Sequence, residues 1–137
     1  MAKLVLTNAQ VLINAVDLSD HVDTVTVNYS AAEVDSTSMG QAGISRLPGL
    51  KDWSLDIIFA QDFALAKVDA TLFPLVGTVF AIEVRPVNAA RSTTNPAYTG
   101  NGLLSTYSPL GQKVGALNTA PIKIAGADGV ALQRLTA

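Results

Sequence analysis

The chain has 137 residues, a formal charge of −2 and no cysteine, which fits one domain with a single core and excludes disulfides, thiolate nucleophiles and cysteine-based metal sites. Its pI near 5.1 leaves no basic footprint for gripping nucleic acid or an anionic membrane. Charged residues make up 15% of the chain against about 25% in an average globular domain. With a mean hydropathy of +0.34, that scarcity points to a surface of small residues and to apolar surface that a partner subunit covers.

The opening MAKLVLTNAQ has a short apolar run broken by Thr7 and Asn8. It lacks the apolar core of a signal peptide, and no stretch approaches the roughly 20 apolar residues of a membrane span. A chain made and kept in the cytoplasm is expected. Gln10 to Val16 alternates as a strand, and Val22 to Tyr29 alternates better, with Val25, Val27 and Tyr29 opposite Thr24, Thr26 and Asn28. The DLSDH between them offers Asp17, Ser19 and Asp20 as acceptors for a tight reversal, so the two strands are expected to form a hairpin.

From 30 to 48 the chain is polar, small and glycine-bearing with no sustained period, which reads as a long functional loop. Trp53 to Ala60 then has period two, with Trp53, Leu55, Ile57 and Phe59 on one face and Ser54, Asp56 and Ile58 on the other. After it, Phe63, Ala66, Ala70 and Phe73 recur at helical spacing; Asp62 is expected to cap a helix running to about Leu72, before Pro74 and Gly77 stop it.

Thr78 to Arg85 is the next strand, ended by Pro86. NAARSTTNPAYTGNG reads as a loop, with Gly100-Asn101-Gly102 as a turn. Three more strands are expected at Leu103 to Pro109, Gly115 to Ile124 and Val130 to Thr136. About seven strands and one mid-chain helix make a mainly β fold, a β-sandwich or flattened barrel flanked by that helix, in a single domain spanning 1–137.

Tests for chemistry return little. His21 is the one histidine, and it reads as a solvated turn residue rather than a base. Asp17, Asp20 and Asp23 have neither the spacing nor the distal glutamate of a calcium loop, which leaves turn capping. Asp56 and Glu83 fall on the less apolar faces of their strands and read as solvated carboxylates rather than a glycosidase pair. Trp53 alternates with core residues and reads as a core anchor. Tyr29, Tyr98 and Tyr107 are too dispersed for an aromatic strip. No catalytic, metal-binding or cofactor-binding residue is assigned, and no enzymatic role or cofactor is expected.

The order of these elements, with VDSTSMG at 34–40, GLKDWSLDIIFAQDF leading to a helix, TVFAIEVRP, NPAYTG and a final GVALQRLTA, resembles the tail tube (major tail) proteins of long-tailed bacteriophages. The resemblance implies a β-sandwich with one flanking helix, six copies per ring, and rings stacked into a hollow tube. That tube would house the tape-measure protein, meet tail terminator and tail-tip proteins at its ends, and carry DNA only as passing cargo. It further implies a place in the virion tail after assembly in the cytoplasm of a bacterial host, without a membrane anchor.

The long loop would then reach between neighbouring subunits or rings through Val34, Asp35, Ser36, Thr37, Ser38, Met39, Gly40 and Arg46. The polar strand faces carrying Thr24, Thr26 and Asn28, with Asp56 near them, are the expected lumen wall. A base-poor wall suits passage, because each Lys or Arg on a phosphate adds affinity. The alternatives are another virion part, such as a capsid decoration or tail terminator protein, then a small carbohydrate- or ligand-binding β-sandwich using Trp53 or the tyrosines, and last a hydrolase.

Overall fold

A computed structural model of the chain describes residues 3–136. Eight strands form one antiparallel sheet: β1 Gln10–Ile13, β2 Val16–Asp17, β3 Val22–Asp35, β4 Arg46–Ala60, β5 Val79–Arg85, β6 Ala97–Tyr107, β7 Thr119–Gly126 and β8 Gln133–Leu135. The helix is α1, Val68–Leu72, and 3₁₀ turns cover Ser19–His21 and Phe73–Leu75. The sheet order is β2-β1-β5-β6-β7-β4-β3, with β8 beside β6.

Strands from opposite ends of that order share one core. Val11 and Ile13 of β1 pack in the same buried cluster as Leu55, Ile57 and Phe59 of β4, and Val25 and Val27 of β3 pack against it. A single sheet does this only by curling round its own apolar face, which is the flattened-barrel form of the expected architecture. Leu18 from the first 3₁₀ turn, with Val68 and Leu72 from α1, joins the cluster.

Period two in β4 translates directly into packing: Trp53, Leu55, Ile57 and Phe59 are buried while Ser54, Asp56 and Ile58 are half-buried. Trp53 anchors the core as expected, in a slot cut by glycine. A Cβ on Gly100 would come 2.7 Å from Trp53 Cζ2, and one on Gly126 would come 2.5 Å from Trp53 Nε1. Gly100-Asn101-Gly102 is therefore not a turn but part of β6, where the missing side chains make room for an indole.

The structure departs from several further expectations. The strand from Gln10 does not pair with β3. Asn14 and Ala15 take left-handed φ values of 50° and 66°, closing a two-residue hairpin in which Ile13 pairs with Val16. The Asp17 carboxylate accepts the Ser19 N–H at 2.9 Å, and the 3₁₀ turn carries the chain to the far edge of the sheet, where β3 pairs with β4.

About half of the loop expected at 30–48 is strand. β3 continues to Asp35 and β4 begins at Arg46, so Tyr29–Asp35 and Arg46–Asp52 form a projecting hairpin arm with its tip at 36–45. Nearly every arm residue is exposed, so neither face is selected to be apolar and no alternation marks the strands.

The helix is five residues long rather than about ten, because Ala66 at φ 59° breaks the right-handed path before it. Asp62 caps the preceding turn, accepting the Ala64 N–H at 2.9 Å. β7 starts at Thr119 rather than Gly115, and β8 is confined to three residues.

Candidate assembly surfaces

The outward face of β3, β4 and β7 gathers the residues expected at a lumen wall. Register places Thr26 opposite Asp56 and Asp56 opposite Lys123. Asn28 Nδ2 donates to Asp56 Oδ2 at 3.1 Å and to Ser54 Oγ at 3.3 Å. Thr24, Thr26 and Asn28 are exposed and Asp56 is half-buried. They share one polar face, with a shallow hollow of about 400 Å³ over Thr24, Thr26, Asp56, Thr106 and Lys123. Asn28 is fixed against Ser54 and Asp56, and the apolar Ile58 and Pro121 line the hollow beside these polar groups.

The arm carries the expected contact residues. Val34 and Asp35 end β3, Arg46 starts β4, and Ser36, Thr37, Ser38, Met39 and Gly40 lie in the tip. Hydrogen bonds order that tip. The Ser36 N–H donates to Ser45 O at 2.8 Å, and the Ser45 N–H donates to Thr37 Oγ1 at 2.8 Å. The Thr37 N–H donates to Asp35 Oδ1 at 2.9 Å, a bond that holds the Asp35 carboxyl below its ordinary value. Arg46 Nε lies 3.3 Å from Glu33 Oε2, an exposed pair across the arm. Tyr29, Val34, Met39, Ile44, Leu47 and Leu50 are large apolar side chains exposed along the arm. In an isolated subunit they gain nothing from that position.

Two groups differ from their sequence reading. His21 is not a solvated turn residue: its side chain is 17% exposed, with Nδ1 at 2.7 Å from Asp20 Oδ1 and Nε2 at 2.8 Å from Asp62 Oδ2. The bond to Asp20, then that to Asp62, raises the imidazole pKa against the opposing effect of burial. Asp20 is lowered chiefly by His21, and Asp62 by the Ala64 N–H and then His21. Since Asp62 lies 41 residues along the chain, no local pattern announces this clasp.

Glu83 is not solvated either; it is 12% exposed and gripped by Arg85 and Arg91. Burial alone would push its carboxyl up, but the two guanidiniums outweigh that and hold it below its ordinary value. β6 and β7 lie between Glu83 on β5 and Asp56 on β4, so the sheet separates the two carboxylates. Among the described residues no group of three or more His, Asp or Glu side chains converges to hold a metal ion.

No protein-family model and no curated protein matches the chain. Solved structures do. A chain from the tail of an empty gene transfer agent particle, computed by helical refinement with C6 symmetry, aligns over 85% of this chain and 83% of its own, at 17% identity and a TM-score of 0.64. This fold occurs in gene transfer agent tails. A chain in the virion of a native gene transfer agent particle aligns over 92% of this chain and 95% of its own, at 13% identity and a TM-score of 0.66. The agreement covers nearly whole chains on both sides, so the likeness is of the complete domain fold.

Proposed function

We propose that the chain is a structural subunit of a phage-type tail, assembling as hexameric rings stacked into a hollow tube. The observation that carries this is the hairpin arm: an ordered, projecting element with exposed Tyr29, Val34, Met39, Ile44, Leu47 and Leu50, on a fold shared with a chain of a C6-symmetric tail. Such an arm becomes stabilising only when a neighbour covers it.

On this reading Val34 to Gly40 and Arg46 make contacts between subunits or rings. Thr24, Thr26, Asn28 and Asp56 face the lumen, where a tape-measure protein is housed and DNA later passes. Terminator and tip proteins close the ends, and assembly takes place in the cytoplasm of a bacterial host.

Negative-stain electron microscopy of the purified protein, before and after concentration, tests the proposal. Hollow rings or tubes of constant diameter are expected. A monomeric field at every concentration, with an added ligand quenching Trp53 fluorescence, would replace the tube with a ligand-binding domain. For the lumen face, Asp56→Lys is expected to leave ring formation intact and slow DNA delivery; unchanged delivery would remove Asp56 from the wall.

A further inference from the structure

β3 is the last strand of the sheet order, and among the described residues its ladder partner is β4 on one side alone. Edge strands are normally protected by shortness, lysine, proline or a bulge. The register breaks of β3 fall between Val22 and Thr24 and between Ala31 and Glu33. Between them Thr24 to Ala31, TVTVNYSA, is regular, uncharged and free of proline. These eight residues present roughly 26 Å of unpaired, strand-forming backbone edge.

The same chain holds a matching element. Lys3 to Thr7, KLVLT, belongs to no strand, yet Leu4, Val5 and Leu6 are 58%, 79% and 54% exposed. Leucine and valine in an extended run fit a pleated, half-buried surface. The segment is tethered where the Asn88 N–H donates to Asn8 O at 2.7 Å. Leu6 to Ala9 lie across an open gap from Val22 to Val25, so the segment leaves the body beside the start of β3 without joining it. The other short edge elements, β2 with two residues and β8 with three, are too small to cover Thr24 to Ala31.

We infer that Lys3 to Thr7 of one copy adds as a strand to the Thr24–Ala31 edge of the next copy. The contact is heterologous: each copy donates a segment on one side and receives one on the other, an arrangement that closes into a ring when the rotation permits. Backbone N–H and C=O groups along both elements gain partners, and the exposed Leu4, Val5 and Leu6 gain a surface to pack on. The partner, a second copy, rests on the assembly reading given above.

The native chain has no cysteine, so engineered thiols report without background. Leu4→Cys and Val5→Cys are made separately, because adjacent strand residues point to opposite faces and one of them will share the face of the receiving residue. Each is mixed with Thr24→Cys, Thr26→Cys or Asn28→Cys and oxidised, and non-reducing electrophoresis reads the heterodimer. Lys123→Cys, on the same face but in β7, is the control, since a strand added beyond β3 lies three strand spacings, roughly 14 Å, from β7.

A heterodimer with an edge position and its loss with Lys123→Cys is the expected result. No heterodimer, or equal cross-linking at Lys123→Cys, overturns the pairing. Microscopy of the same mixtures separates the two ideas: tubes without edge heterodimers retain the tube and discard this contact, whereas heterodimers without rings or tubes retain the contact and discard the tube.

Discussion

Gly100→Ala isolates the tryptophan slot. The three atoms nearest the added methyl all belong to Trp53, at 2.7 Å from Cζ2, 3.0 Å from Cε2 and 3.4 Å from Cη2. Trp53 is 3% exposed and packed in the core cluster, so the ring has little freedom to retreat. Overpacking of this kind costs about 1–3 kcal/mol, and the loss of glycine freedom in the unfolded chain returns about 0.4–1 kcal/mol. A net destabilisation near ~1.5 kcal/mol follows, which for this chain length lowers Tm by roughly 5 °C. The assay is thermal and urea unfolding followed by far-UV circular dichroism, for Gly100→Ala, Trp53→Leu and the double variant. Trp53→Leu is costly alone, but it removes the atoms the methyl strikes, so the double variant should be more stable than the two single losses summed, by about 1 kcal/mol or more. Additive losses would refute the slot. So would a Gly100→Ala protein as stable as wild type, with Gly111→Ala, where a Cβ meets nothing within 4 Å, as the reference.

The other expectations concern the turn, the loop and the clasp. Ala15→Gly at φ 66° should raise stability by about 0.5–1 kcal/mol, the left-handed strain less the glycine entropy, and a lower urea midpoint would count against the strained hairpin. Asn95, 7% exposed, accepts the Val87 N–H and donates to Val87 O, Ala89 O and Ala90 O. Asn95→Ala should cost about 1–2 kcal/mol by removing these part-buried bonds, whose backbone partners lie in exposed residues, and a near-wild-type midpoint would show that the 86–96 loop is held by other means. For the clasp, the His21 pKa is raised above its ordinary 6.5. Its contribution is therefore full below that value and lost as pH rises through the folded value. Asp20 and Asp62, both lowered from 3.8, contribute above that value and lose their contribution as pH falls through their lower folded values. Stability measured by urea from pH 3 to 9 should decline on the alkaline side in wild type and flatten in His21→Gln; superimposable profiles would remove His21 from that role.

The parts of this fold that were legible in sequence are those where one face is buried and the other wet. Trp53 to Phe59 is the clearest case. The same alternation on paired strands brought Thr24, Thr26, Asn28 and Asp56 to one face, since β3 and β4 meet with Thr26 opposite Asp56. The arm strands lacked the signal because neither of their faces enters the core. The β1–β2 turn was hidden because Ala15 occupies a left-handed position that glycine usually marks, and the His21–Asp62 contact because nothing near either residue encodes a partner 41 positions away.

The helix misreading carries more weight than these. Phe63 and Phe73 supply half of the helical spacing, yet they are 60% and 67% exposed, and the neighbouring Leu65 is 92% exposed. Apolar periodicity records burial in whatever state was selected, which need not be the single chain. A chain with 15% charged residues exposes large apolar side chains on its arm, its α1 approach, its N-terminal segment and the 110–117 loop, and the proposed assembly would cover the first three. Hydrogen exchange compared between dilute and concentrated protein would test this directly. New protection at Leu4 to Leu6, Thr24 to Ala31 and the arm, with the buried residues of β4 unchanged, is expected if the pattern belongs to the assembly. Protection unchanged at all three sites would mean that their backbone amides gain no cover on concentration, and would count against an assembly that uses them.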